Sequence, residues 1–139
     1  MMETYLDKPD LHSIDHIVMQ VFDVPETIKF YTEILGMTHI EFQPPTGGPA
    51  RQSLHFGAQK INIHDVSAPF VPHARNPVAG AVDLCFVTQQ SIGDWQQHLA
   101  KCGIAIEVGP VRKIGANGPL SSIYIRDPDG NLIEISNYI

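Results

Sequence analysis

Clustered positive charge is missing from this sequence: 9 Lys and Arg are scattered among 15 Asp and Glu, giving a formal charge of −6. Binding a polyanion gains from releasing its counterions, which needs cations gathered on one surface. Nucleic acid is therefore excluded as an expected partner. Cysteine is scarce as well. Cys85 and Cys102 are too few for a disulfide scaffold, and the compartment this usage fits is reducing cytoplasm. Long apolar runs are also lacking, none approaching the roughly 20 residues that cross a bilayer, so no membrane partner is expected. Residues 1–13 are polar, with Glu3, Asp7, Lys8 and Asp10, unlike a signal peptide. What remains is 139 residues with ordinary apolar content, 43%, room for one compact domain or two small halves sharing a core.

Residues 14–22 (IDHIVMQVF) are rich in branched apolar side chains and read as a strand. Asp23 or Val24 then leads into Pro25 at the first helical position, with Glu26 placed where the helix dipole favours an acid. Ile28, Tyr31, Ile34 and Leu35 form a stripe at three-and-four spacing, and Gly36 stops the helix. Three short strands follow, over residues 37–42, 52–56 and 60–66, separated by the PPTGGP turn and by Gly57-Ala58. Residues 67–80 read as a connector. The order then repeats: a strand over 81–88, a helix over 91–102 with Ser91 as N-cap and Asp94 three residues on, a stop at Gly103, and strands over 104–108, 121–126 and 131–138. Setting His16 on Asp83, an offset of 67, also sets Gly36 on Gly103 without a gap. The chain thus reads as a duplicated βαβββ unit, of class α+β, with modules about 14–66 and 81–138 in a single domain spanning 14–138.

Chemistry is expected where polar side chains interrupt apolar strands. Strand side chains alternate, so His16 shares a face with Ile14, Val18 and Gln20. Asp83 holds the matching place in the second unit, flanked by Ala81 and Cys85. Glu134 sits in LIEIS opposite two isoleucines, and in INIHD both Asn62 and His64 do the same. A lone His or Glu in a strand is more often a surface group than a ligand. An isolated carboxylate on a buried face, however, is costly unless paired or bound to a cation. Four strands therefore each offer a candidate ligand: His16, His64 or Asn62, Asp83, and Glu134. Imidazole with carboxylate suits Zn, Ni, Co, Mn or Fe(II). Asp127-Pro128-Asp129-Gly130 reads as a plain hairpin turn, and residues 109–118 (GPVRKIGANG) as a glycine-rich loop. Cys85 reads as core, and Cys102 as packing at a helix end.

The runs DHIVMQV, FYTEILGM and YIRDPDGNLIEISNY together resemble the vicinal oxygen chelate superfamily, which takes in glyoxalases, ring-cleaving dioxygenases and metal-free bleomycin-binding proteins. QKINIHDV, HARNPVAGAVDLC and EISNY look most like its glyoxalase domain-containing protein 5 group. The resemblance implies two modules forming curled mixed β-sheet, often in a homodimer, with a small-molecule substrate held on a divalent metal through two neighbouring oxygens. It places the first-strand ligand on His16 and the last-strand carboxylate, ligand and base, on Glu134. The ligand opening the second module, often His, falls on Asp83, and the fourth-strand ligand on Asn62 or His64, two departures from the common pattern. A glyoxalase-type lyase or isomerase is the implied reaction. A ring-cleaving dioxygenase using Fe(II) or Mn, or a non-catalytic antibiotic-type binding protein, is the alternative. No cationic cluster is placed for the carboxylates of a glutathione thioester, and Arg51, Arg75, Arg112 and Lys113 remain candidates for an anionic group.

Overall fold

The structure is a computed structural model that describes residues 8–139. Glu3 and Asp7 of the polar N-terminal stretch lie outside the described residues. Strands β1 (His16–Val21), β2 (Thr38–Phe42), β3 (Arg51–Phe56) and β4 (Gln59–Asp65) form one sheet in the order β1-β4-β3-β2. Strands β5 (Asp83–Val87), β6 (Val108–Gly115), β7 (Gly118–Arg126) and β8 (Leu132–Tyr138) form a second in the order β5-β8-β7-β6. In both, the first strand pairs parallel with the last while the other ladders are antiparallel. Two modules of one topology are what the repeated strand and helix signals call for. Among the described residues no helix is long and apolar enough to cross a membrane.

Each sheet buries one face. Met19, Val21, Leu54, Ile61 and Ile63 from the first join Ile123, Ile125, Ile133 and Ile135 from the second in a single apolar cluster. Helix α1 begins at Val24–Lys29, where the Asp23 side chain accepts from the Glu26 amide at 3.0 Å. It does not continue as a regular α-helix to Leu35: residues Phe30–Ile34 form a π-turn, with the Leu35 amide reaching the Phe30 carbonyl. The wider turn lets consecutive Phe30 and Tyr31 both sit buried. Helix α2 (Ile92–Lys101) is capped as its sequence predicts, Ser91 accepting from the Asp94 amide at 3.0 Å. Asn137 holds the approach to it, donating to the carbonyls of Thr88 and Gln90 and accepting from the Ile92 amide.

Three sequence expectations change. Residues 104–108 are not a strand of their own. The supposed loop 109–118 is mostly β6, an edge strand that turns at Ala116-Asn117 into β7, and β7 starts at Gly118 rather than Ser121. Its apolar alternation is faint because an edge strand shows charge to water: Arg112 and Ile114 are exposed, and Lys113 lies over the Tyr124 ring. The DPDG segment is more than a turn. Asp127 is buried and accepts from the Tyr31 hydroxyl of the other module at 2.7 Å, from Asn131 Nδ2 at 2.8 Å, and from the amides of Asp129 and Asn131. Beside it, the Phe22 amide donates to Asp129 at 3.2 Å, and His98 donates to the Ile34 carbonyl at 2.8 Å. The modules are thus joined by polar bonds as well as by the apolar cluster, the bond between Tyr31 and Asp127 being the buried one.

Two stability outcomes follow from these contacts. Tyr31→Phe removes a buried donor from a carboxylate and should lower urea-unfolding stability by about 2 kcal/mol. Gly109 has φ +112, and a Cβ there would strike the Ser122 carbonyl on β7. Gly109→Ala should therefore cost roughly 1–3 kcal/mol in the same assay, with the substitution Gly118→Ala, where nothing stands in the way, separating backbone strain from collision.

Candidate functional site

The sheet faces turned away from the core carry the polar residues. On the first, the parallel register sets His16 opposite Lys60, Val18 opposite Asn62 and Gln20 opposite His64. On the second it sets Asp83 opposite Leu132 and Cys85 opposite Glu134. Asn62 therefore stands to His16 as Glu134 stands to Asp83: two residues further along the last strand of the module, on the same face. The duplication seen in the sequence is repeated in the placement of donors. His64 falls outside this symmetry. It lies four residues beyond the level of His16, about 13 Å along the strands, too far for the two imidazoles to meet on one ion with bonds near 2 Å. Of the two alternatives that strand parity leaves open on β4, Asn62 is the one at the level that matches Glu134.

The four sequence-predicted ligands are thus brought together only in part. His16 lies on the first face and Asp83 with Glu134 on the second, while among the described residues no three His, Cys, Asp or Glu side chains stand close enough to hold a metal ion. His16 is half exposed, and its Nδ1 lies 2.8 Å from Asp15 Oδ1. That bond holds the Asp15 carboxyl below its usual range, with the charges of His16 and Lys60 acting in the same direction. Among the described residues, His16 Nε2 has no hydrogen-bond partner.

Glu134 lies in a row across three strands, Cys85 on β5, Glu134 on β8 and Tyr124 on β7. Ser136 donates to Glu134 Oε2 at 3.3 Å, Cys85 Sγ lies 3.4 Å from Ser136 Oγ, and the buried Ser122 and Ser136 hydroxyls are 2.6 Å apart. Partial burial pushes the Cys85 thiol and the Tyr124 phenol up, and the Glu134 charge adds to both shifts. The reading of Cys85 as core is corrected: in a sheet with one open face its parity turns it outward, and it is exposed. Cys102 is exposed at the end of α2, 3.8 Å from His98 Nε2. Tyr124 was missed; its pairing with Glu134 depends on register, which a single strand does not reveal.

At the far end of the first face, His64 is buried, with its ring edge-on to Phe70 and Arg51 stacked on that same phenyl ring. Burial holds His64 below its ordinary pKa, with Arg51 and then His73 adding to the effect. Both open faces also expose large apolar side chains, Val18, Ile40 and Phe42 on the first and Val87, Val108 and Tyr138 on the second. A further cleft of about 440 Å³ lies between the modules, lined by Met37, Phe56, Phe86 and Trp95 among others.

A family model described as the glyoxalase/bleomycin resistance protein/dioxygenase superfamily matches residues 13–135. The virulence protein STM3117 of Salmonella typhimurium is 48% identical over 126 residues, covering 91% of this chain and 84% of that protein. Its crystal structure overlays with a TM-score of 0.87, covering 94% of this chain and 100% of that one at 46% identity. The glyoxalase domain-containing protein RDO1 of Mycosarcoma maydis is 48% identical over 128 residues, 92% of this chain and 69% of its own length. An integron cassette protein from the mobile metagenome of V. cholerae overlays with a TM-score of 0.88 at 42% identity, covering 95% of this chain and 99% of that one.

Thiolate, not thiol, is the nucleophile toward alkylating reagents. In a Cys102→Ser background, Cys85 should react with iodoacetamide several-fold more slowly at pH 8 than a free cysteine does. Glu134→Gln removes the neighbouring negative charge and should speed the reaction; an unchanged rate would show that the carboxylate does not act on the thiol.

Proposed function

Since the chain belongs to the glyoxalase/bleomycin resistance protein/dioxygenase superfamily, we propose that it is a divalent-metal-dependent lyase or isomerase of the glyoxalase type. Its substrate is a small carbonyl or carboxylate compound offering two neighbouring oxygens. One observation carries this reading: the Asp15 carboxylate engages His16 Nδ1 at 2.8 Å. A carboxylate behind an imidazole fixes the tautomer and leaves Nε2 as the donor, the usual arrangement for a metal-ligating histidine.

The donor set suits the metal. His16 offers nitrogen, while Asn62, Asp83 and Glu134 offer oxygen, a combination taken by Ni, Co, Zn, Mn or Fe(II). One chain divides these donors between two faces, so the reading requires a second copy. In this cytoplasmic homodimer the first-module face of one protomer closes on the second-module face of its partner. The apolar side chains exposed on both faces support that closure, because covering them against a partner removes apolar area from water. The metal, when bound, supplies Lewis-acid polarisation of the substrate oxygens. Glu134 is the group that moves a proton, held in direction by Ser136 and flanked by Tyr124 and Cys85. A dioxygenase would use the same residues around Fe(II) or Mn, and the metal's identity distinguishes the two reactions.

A non-catalytic binding protein has one feature in its favour, the apolar cleft between the modules. Metal content of protein purified without tag or chelator separates the readings. We expect near-stoichiometric divalent metal in the parent and its loss in both His16→Ala and Glu134→Gln, with a dimer mass in solution. No metal, and no thermal stabilisation by Ni, Co, Mn, Fe(II) or Zn, would overturn the enzyme and leave the binder.

A further inference from the structure

We propose that the strip of the first sheet face running along β4 from Lys60 to His64 is a binding site for a small oxyanion, the carboxylate or phosphoryl group of a ligand. A depression of about 190 Å³ there is lined by Arg51, Ser53, Lys60, Asn62 and His64, together with Gln52 and Phe42. Two of these residues are cations, the polar others can donate a hydrogen bond, and no lining residue is acidic. The register explains the gathering. Ser53 pairs with Asn62, so the alternate residues Arg51 and Ser53 of β3 share a face with Lys60, Asn62 and His64 of β4.

His64 is 9% exposed and lines the depression, yet its Nδ1 has no hydrogen-bond partner. A buried polar atom without a partner is uncommon in a folded protein and calls for an explanation. A ligand oxygen supplies one. Phe70, from the segment that follows β4, fixes both recognition groups: the Arg51 guanidinium lies 4.3 Å over its ring, and the His64 ring is edge-on with centroids 4.7 Å apart. Arg51 is thereby held in one orientation, which reduces the entropy lost when it binds. Among the described residues, the ion pairs are His16 with Asp15 and Arg126 with Glu107, so neither cation of the depression is in one. Asp15, just before β1, feels the charge of Lys60.

The size fits a phosphate or carboxylate head rather than a whole drug-sized molecule, whose pockets run to roughly 300 Å³ or more. Lying on the same face as His16 and Asn62, the depression also names a substrate class, a carbonyl compound bearing an anionic group. That extension rests on the proposed function, whereas the anion site itself does not.

The experiment is a titration of the full chain with inorganic phosphate and, separately, with acetate, at ionic strength fixed with sodium chloride. The readout is the ¹H and ¹⁵N shifts of the His64 imidazole, assigned with the variant His64→Asn. We expect saturable shifts with at least one anion, weakened tenfold or more in Arg51→Gln and unchanged in Arg112→Gln, whose cation lies on the second module. Saturation by phosphate alone identifies a phosphoryl group, and saturation by acetate identifies a carboxylate. No saturable shift with either anion, or equal weakening in the two arginine variants, would overturn the site. Metal content measured on the same samples keeps the two proposals apart: a parent without metal that still binds the anion loses the lyase reading and retains this one.

Discussion

The hydrogen bond from Tyr31 to Asp127 is the buried polar link between the two sheets, and the elements around it are shaped by the cost of burying it. A carboxylate removed from water is tolerated only when its oxygens are satisfied. Asp127 meets that demand with the Tyr31 hydroxyl, Asn131 Nδ2 and two backbone amides. Each donor comes at a structural expense. The π-turn in α1 brings Tyr31 inward beside Phe30, and the turn before β8 folds back so that its own amides point at the carboxylate. The Tyr31 phenol is pushed far above its ordinary range, first by burial and then by Asp127, so it remains a donor at any ordinary pH. Met19 of β1 lies against both Tyr31 and Asn131, so the same junction also fixes the strand that carries His16.

Much of the fold was legible because strand parity and helix stops are local. The alternation in IDHIVMQVF and LIEISNY gives correct faces for His16, Val18, Glu134 and Ser136, and Gly36 and Gly103 both adopt positive φ after a helix. The helix-entry signals at Asp23 and Ser91 are realised as hydrogen bonds. Local pattern fails where the deciding partner is distant. Nothing in DPDG announces that its first carboxylate binds a tyrosine 96 residues earlier. Edge strand β6 hides behind its glycines and charges because only one of its ladders is satisfied by the sheet.

The candidate site shows the same division. Parity places Asn62 and His64 on one face and cannot separate them; only the ladder between β1 and β4 does so, by putting His64 at the level of Gln20. Cys85 was misread because an open sheet face can hold apolar residues without burying them. Once the register is known, the two pairs, His16 with Asn62 and Asp83 with Glu134, emerge as copies of one arrangement. The two copies share a geometry and differ in chemistry, imidazole and amide on one side, two carboxylates on the other.

The parallel pairing of first strand with last has an entropic meaning for both halves. Strands β2, β3 and β4 are near neighbours in sequence, as are β6, β7 and β8, and their antiparallel ladders close short loops. Strands β1 and β5 instead close the longest loop of their module, one that contains a helix and two strands, and its closure costs the most chain entropy. Each then sits at the margin of its sheet, held by one ladder. The strands that carry His16 and Asp83 are therefore the ones whose pairing closes the longest loop of each module, and a ligand bound by these residues would hold that closure shut.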